Sequence, residues 1–280
     1  MFKSARSILD DKLALIGLST IIILLVIAIC APSVSPYDPM KINLQERLSP
    51  PSLEHPMGTD DLGRDYLSRI IYGTRISMTA AALITMISLI IGLIVGTASG
   101  YFGGIVDETL MRIVDIMLAF PSLIITIAIA GILGPTFENL IIAMTVTGWV
   151  GYSRLIRSSV LLVKEQDFVV SSKAIGCSDL RVVFDHIVPN AIAPIVVLAT
   201  LDMGNVILGL CGMSFLGLGA QPPTPEWGSM LEAGKPFMES MPTLMIFPGL
   251  MIMITVMAFN FLGDGLRDAL DPRIKAKVEI

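Results

Sequence analysis

The sequence contains few charged residues for its length. Only 15% of its 280 residues are Asp, Glu, Lys or Arg, and 54% are hydrophobic, whereas about 25% of a typical soluble domain is charged. The mean hydropathy is correspondingly high, at +0.77. A soluble domain is therefore excluded, and we expect an all-α, polytopic membrane protein.

Residues that carry chemistry are also scarce. There are two histidines and three cysteines, and the cysteines show no CxxC spacing that would indicate a metal site or a disulfide framework. The chain has neither a GxxxxGK(S/T) phosphate loop nor an HExxH motif. We therefore expect no catalytic residue, no bound metal and no cofactor in this chain, and we interpret it as a non-enzyme. The 17 methionines are interpreted as adaptable core packing.

Six segments are long and apolar enough to cross a hydrocarbon core, which takes about 20 helical residues. They are residues 13–32, 76–99, 113–134, 138–162, 191–216 and 243–263. Most of the 19 Lys and Arg residues fall in the inside segments if the N-terminus is cytoplasmic. We therefore predict a multi-pass membrane protein with both termini in the cytoplasm.

The sequence divides into two parts. Residues 1–75 would hold the N-terminus, the first span and an extracytoplasmic loop, and residues 76–280 would form the core transmembrane domain. From Leu62 onward the apolar residues of the loop recur at helical spacing, which predicts an amphipathic helix on the membrane surface. In the second span Gly92, Gly96 and Gly100 allow close helix packing, either within this chain or with a second subunit.

Residues 165–190 form a polar stretch between hydrophobic spans, and we expect it to be cytoplasmic. We predict two short helices there, separated by a sharp joint at Gly176, where glycine permits a left-handed conformation. The second helix would begin with Ser178 as its N-cap and stop at Pro189. One stripe of this helix carries the apolar residues Leu180, Val183, Phe184 and Ile187, and the polar residues Arg181, Asp185 and His186 lie beside it.

Two acidic residues lie within or near spans. Asp202 is about twelve residues into the fifth span, and an acid at mid-membrane costs at least about 2.5–3.5 kcal/mol. It is therefore our candidate for a substrate path, with a structural hydrogen-bonded acid as the alternative. Asp115 follows Arg112 at i+3, which favours a structural ion pair between them.

These motifs resemble those of permease subunits of ATP-binding cassette importers. The cytoplasmic signature of that family is Glu-Ala-Ala, three residues, Gly, nine residues, then Ile-x-Leu-Pro. Here Gly176 and Pro189 match in spacing, but Val170-Ser171-Ser172 stands where Glu-Ala-Ala would be. The ending His186-Ile187-Val188-Pro189-Asn190 is similar to that of the dipeptide, oligopeptide and nickel branch.

Three further stretches are similar to the second permease subunit of that branch, and together they cover nearly the whole chain. They are Met57-Gly58-Thr59-Asp60 through Gly63-Arg64-Asp65, Ser214-Phe215-Leu216-Gly217-Leu218-Gly219 through Pro222 to Gly228, and Gly263-Asp264-Gly265-Leu266-Arg267-Asp268 through Asp271-Pro272.

The resemblance implies a location in the bacterial inner membrane and a complete transport complex around this chain. Its partners would be a homologous permease subunit, forming a heterodimer, two cytoplasmic ATPases that bind ATP and Mg²⁺, an extracytoplasmic solute-binding protein, and membrane lipid; no nucleic-acid partner is expected. The 165–190 segment would dock in a groove of an ATPase and couple its motion to the spans.

Residues around Asp202 look closer to nickel permeases, so we expect nickel, free or chelated, as the cargo, with dipeptides or oligopeptides as the alternative. Two hypotheses from other classes are an ion-coupled secondary transporter and a membrane-embedded enzyme. The first would need coupling-ion residues in several spans, and the second would need a catalytic constellation.

Overall fold

The protein, described by a computed structural model over residues 11–270, is built from helices joined by short turns and one long loop. Its helices are α1 (Lys12–Val34), α2 (Tyr66–Phe102), α3 (Gly104–Leu118), α4 (Ser122–Leu133), α5 (Phe137–Lys164), α6 (Asp167–Ala174), α7 (Asp179–Arg181), α8 (Val188–Phe215), α9 (Trp227–Gly234) and α10 (Thr243–Leu270). Short 3₁₀ turns lie at Leu44–Glu46 and Lys235–Phe237, and a π-helical turn lies at Val182–Ile187. The predicted all-α class is confirmed.

Each of the six predicted spans coincides with helix, but the third is broken. Helices α3 and α4 meet at an angle of 86°, at a break that ends in Pro121. Proline has no backbone N–H and disfavours helical geometry in the residue before it, which explains the break.

The lengths and hydropathies of the observed helices do not confirm the predicted count of six spans. Among the described residues, four helical stretches are long and apolar enough to cross a membrane, and the bent pair would be a fifth. Helix α5 has the length, at 28 residues, but polar residues along it lower its hydropathy.

The predicted amphipathic helix is not a separate helix but the start of α2, and its place at the membrane surface stays a prediction. Asp65 caps α2 by accepting a hydrogen bond from the Ser68 backbone N–H at 2.8 Å, and α2 then runs for 37 residues without interruption. Its first turns are buried because Tyr66 and Ile70 pack in a core with Trp227. The amphipathic pattern therefore reports burial against the chain itself. The division at residue 75 stays a prediction, and it falls inside this helix.

Close contacts between glycine and a neighbouring backbone hold the long helices together. A Cβ added at Gly96 of α2 would lie 2.5 Å from the Ser153 carbonyl oxygen of α5, and one added at Gly17 of α1 would lie 2.6 Å from the Ala258 carbonyl oxygen of α10. The predicted glycine stripe in α2 thus packs against α5 within this chain. Many large apolar side chains on the outer faces of the helices remain exposed, as lipid-facing positions would be.

Residues 35–65 form a folded loop, here called the cap, at the end of the molecule where α2 begins. Gly58 and Gly63 have left-handed backbone conformations that turn the chain. The backbones of Thr59 and Asp65 pair in an isolated antiparallel β-bridge. The 165–190 segment lies at the opposite end of α2. The two ends of this helix therefore carry the two non-spanning parts that the sequence singled out.

Candidate functional site

A sharp joint at Gly176 separates the two helical parts of the 165–190 segment, as predicted. The Gly176 N–H donates to the Lys173 carbonyl at 3.0 Å, and the Cys177 N–H donates to the Ser172 carbonyl at 3.1 Å. Gly176 itself has φ +86°. This pattern of hydrogen bonds is a Schellman motif, which requires a left-handed residue at this position.

The predicted stop at Pro189 is wrong. The helix passes through the π turn directly into α8, and the Val188 N–H donates to the Val183 carbonyl five residues earlier. A wider π turn relieves the clash that the Pro189 ring would have with a preceding carbonyl in a regular α-helix. The whole stretch Asp179–Phe215 is consequently one helical stretch of 37 residues. Ser178 occupies the predicted N-cap position, but its side chain makes no capping hydrogen bond.

The predicted apolar stripe splits between two environments. Val183 and Ile187 are 9% and 0% exposed, whereas Leu180 and Phe184 are 71% and 65% exposed. The buried pair belongs to a hydrophobic cluster that includes Tyr152 and Ile156 of α5. Val183 and Ile187 therefore anchor the segment to its own chain, and the expectation that all four residues form one docking stripe is wrong.

Leu180 and Phe184 form one wall of an apolar groove. The groove has a volume of about 320 Å³ and is closed on its other side by the end of α2, at Tyr101 and Phe102. Beside it, Arg181 and Asp185 approach each other to 4.0 Å with both side chains exposed. The His186 ring lies edge-on to Phe168 of α6, with 6.4 Å between the ring centroids.

Tyr101 connects this segment to α2, a role that the sequence did not indicate. Its hydroxyl donates a hydrogen bond to the Asp179 carboxylate, and the Lys173 ammonium lies over its ring at 4.4 Å. Lys164 donates to the Tyr101 carbonyl at 2.6 Å. Nothing in residue spacing links positions 101 and 179, so only the packing of α2 against the segment shows this contact.

Two arginines of α5 pair with acidic residues of α3, the first helix of the bent pair. Arg157 makes two hydrogen bonds of 2.6 Å to the Asp107 carboxylate, and Arg154 pairs with Asp115. The predicted pairing of Asp115 with Arg112 is therefore wrong, because Arg154 on the neighbouring helix reaches the carboxylate instead. Arg112 lies 3.9 Å from Glu108.

Asp202 lines a cavity of about 360 Å³ between α2, α4, α5 and α8. The Tyr152 hydroxyl donates to its Oδ2 at 2.8 Å. Tyr152 was missed from the sequence, although a tyrosine inside a span is a signal for a buried polar partner. Within residues 11–270, no group of three or more His, Cys, Asp or Glu side chains is placed to hold a metal ion.

Comparisons with known proteins agree with this architecture. Residues 88–276 match the family described as binding-protein-dependent transport system inner membrane component. Residues 2–51 match the N-terminal transmembrane domain of oligopeptide transport permease C. The chain also shares the fold of an inward-facing methionine ABC transporter, with a TM-score of 0.58 at 19% identity over 73% of this chain and 98% of that one.

Two curated relatives bear on the cargo. The dipeptide transport system permease protein of Alkalihalophilus pseudofirmus is 45% identical over 97% of this chain and 89% of its own length. The nickel transport system permease protein of Escherichia coli is 41% identical over 92% of this chain and 94% of its own. The expectation of nickel is thus not supported, and the peptide alternative fits better. The chain belongs to the binding-protein-dependent inner membrane components, as a permease subunit of the dipeptide, oligopeptide and nickel group of ABC importers.

Proposed function

We propose that this protein is a permease subunit of an ATP-driven importer of dipeptides or oligopeptides. It forms half of the translocation path and pairs with a homologous second permease subunit as a heterodimer. The greater similarity to the dipeptide permease than to the nickel permease supports a peptide cargo. An extracytoplasmic binding protein delivers the peptide, and two cytoplasmic ATPases bind ATP and Mg²⁺.

The exposed pair Leu180 and Phe184 is the observation that carries the coupling role. Large apolar side chains more than 60% exposed, on a segment that Val183 and Ile187 anchor to its own chain, favour contact with a partner protein. In this proposal they enter a groove of an ATPase, with Arg181, Asp185 and His186 as polar contacts. The 165–190 segment and both termini then lie in the cytoplasm, and the cap lies outside.

The docking surface is tested by Leu180→Ser in the assembled importer. Because Leu180 supplies apolar area to the interface, the variant should insert normally but co-purify with less ATPase and lose at least about tenfold in uptake. Leu162→Ser is the matched control, since Leu162 of α5 is also 71% exposed. Normal ATPase recovery in Leu180→Ser, or equal loss in the control, would contradict the docking assignment.

The joint is tested by Gly176→Val. An added Cβ meets nothing within 4 Å, so the effect comes from the left-handed backbone, which costs a non-glycine residue about 1–3 kcal/mol. The variant should insert but import poorly. Gly217→Val is the control, because Gly217 has φ +81° and equally open surroundings but lies past the other end of α8.

The importer mechanism itself is tested by energy supply. Uptake into cells depleted of ATP should stop even when ion gradients are maintained. Continued uptake driven by an ion gradient, without any co-purifying ATPase, would favour the ion-coupled carrier.

A further inference from the structure

The cavity at Asp202 has the size and lining of a small-ligand site. Its volume of about 360 Å³ falls within the roughly 300–1,000 Å³ of such sites, whose walls are mainly apolar with a few placed polar groups. Apolar side chains such as Ile84, Leu123 and Met144 form much of the wall. The polar lining residues come from four helices and are Ser88, Ser122, Thr126, Thr147, Asp202 and Asn205.

Asp202 presents a carboxylate to this space. Tyr152 donates to one carboxylate oxygen at 2.8 Å, which fixes the orientation of the group. Its placement inside a membrane-spanning helix costs at least about 2.5–3.5 kcal/mol. Tyr152 and Asn205 both hydrogen-bond to the carboxylate, but no Lys, Arg or His among residues 11–270 pairs with its charge. A cationic ligand would supply the missing counter-charge.

Ser88 gives a second and independent indication of a ligand. It lies on α2, is 1% exposed, and lines the same cavity. Its Oγ has no hydrogen-bond partner among the described residues, and an unsatisfied buried hydroxyl costs about 1–3 kcal/mol. By contrast, the nearby hydroxyls of Thr126 and Thr147 lie 3.0 Å apart and satisfy each other.

We propose that this cavity binds the α-ammonium group of a peptide in transit, with Asp202 as its counter-ion and Ser88 Oγ as a hydrogen-bond acceptor. The inference rests on the proposed function and names the part of the cargo that the site recognises. A free peptide amino group has a pKa of about 7.7–8.0 and is mainly protonated at neutral pH. An ammonium group donates several hydrogen bonds and accepts none, which matches a carboxylate and an unpartnered hydroxyl.

The test compares import of Ala-Ala with import of N-acetyl-Ala-Ala. The complete importer, with its ATPases, partner permease and binding protein, is reconstituted in liposomes, and each peptide is supplied at a concentration that saturates the binding protein. In Asp202→Asn, the ratio of free to acetylated peptide import should fall at least about tenfold relative to the unsubstituted importer. The same binding protein serves every variant, so its own preference cancels in this comparison.

Asparagine keeps the size of Asp202 and an oxygen that can accept from Tyr152, so the variant removes mainly the charge. Ser88→Ala should lower the ratio by about threefold without changing import of the acetylated peptide. Asp202→Glu should restore part of the preference. Asp264→Asn is the control, because Asp264 is an exposed acid on α10 outside the cavity lining, and it should leave the ratio unchanged.

Three outcomes would overturn the ammonium site. One is an equal loss of import for both peptides in Asp202→Asn, which would mark a structural acid. Another is an unchanged ratio in both Asp202→Asn and Ser88→Ala. The third is loss of Ni²⁺ import in Asp202→Asn while peptide import is retained. Failure of the unsubstituted importer to take up either peptide with ATP present would instead refute the proposed function.

Discussion

The two ends of α2 use the same residue types in opposite environments. At the first end, the side chains of Asp60 and Arg64 in the cap and of Arg69 in the first turn of α2 are only 7%, 5% and 5% exposed. In the 165–190 segment, Arg181 and Asp185 are 69% and 62% exposed, and they approach only to 4.0 Å. The difference indicates that the cap is fixed by its charges, whereas this pair of charges in the segment stays exposed to solvent.

The geometry within the cap agrees with this view. Asp60 Oδ2 accepts from Arg64 Nε at 2.6 Å, and its Oδ1 accepts from the Leu62 and Arg64 backbone N–H groups. Arg69 donates to the Pro39 and Pro223 carbonyls. One carboxylate thus ties the cap to α2 and, through Arg69, to the loop before α9.

Asp60→Ala should have the largest effect of the changes that test this contrast. It leaves Arg64 and Arg69 buried without their shared counter-charge, and removing one partner of a buried ion pair costs about 3–5 kcal/mol. Thermal aggregation of the assembled importer in detergent should shift to clearly lower temperature. Asp185→Ala is the matched control, and a similar shift in both variants would remove the distinction between the two ends.

Tyr101→Phe should have the next largest effect, at the other end. It removes the hydroxyl that donates to Asp179, a bond to a charged group worth about 1.5–3 kcal/mol, and it retains the ring under Lys173. We expect peptide import per ATP hydrolysed to fall severalfold while the amount of inserted protein stays normal.

The control for this change is Tyr37→Phe, which removes a hydroxyl that donates to the Glu54 carbonyl in the cap at 3.2 Å. It should leave the ratio of import to ATP hydrolysis unchanged. If Tyr101→Phe behaves like Tyr37→Phe, the contact between Tyr101 and Asp179 has no part in coupling.

What the sequence could predict followed from local chemistry. The joint at Gly176 could be predicted because glycine takes a left-handed backbone conformation without strain. The hydrophobic runs predicted where the long helices lie. The pattern around Pro189 was insufficient, since the π turn that accommodates the ring depends on how Val183 and Ile187 pack against α5. Periodicity located one apolar stripe, but it could not tell which of its members face the chain itself.

The candidate site was less predictable than the fold. Asp202 could be singled out because an acid in a span is costly, yet its partner Tyr152 lies 50 residues away in the sequence. Ser88 carried no signal at all, since a serine in a span commonly bonds to its own helix backbone. Its unpartnered state depends on the three-dimensional arrangement of α2 and α5.

A change of pH should alter the stability of the cap but not that of the 165–190 segment, with a smaller effect than the two substitutions above. In the cap, the His55 ring lies 2.8 Å from Asp65 and 3.2 Å from Glu46. The hydrogen bond to Asp65 raises the pKa of His55 above 6.5, followed by the smaller contribution of Glu46, against the lowering effect of burial. His55 also lines a small cavity in the cap, and the other charged groups facing that cavity include Asp38, Lys41 and Glu54.

Because the folded pKa is raised, the stabilisation from His55 is fully present below the unfolded value of about 6.5 and is lost as pH rises through the folded value. The protection factors of cap amides, which compare the observed exchange rate with the intrinsic rate at the same pH, should therefore fall over that range, and His55→Gln should abolish the fall. Protection factors in the 165–190 segment should not follow the same profile, and a shared profile would show that the two ends are not independent.

The smallest effect is expected from exchanging the charges of Arg181 and Asp185. An exposed i,i+4 pair contributes about 0.2–0.5 kcal/mol at most, so the double variant Arg181→Asp, Asp185→Arg should melt at the same temperature as the unsubstituted importer. Recovery of the ATPase should nevertheless fall, and the fall should be greatest at low salt, because the partner would meet each charge with the wrong sign. Unchanged ATPase recovery at every salt concentration would limit the docking surface to Leu180 and Phe184.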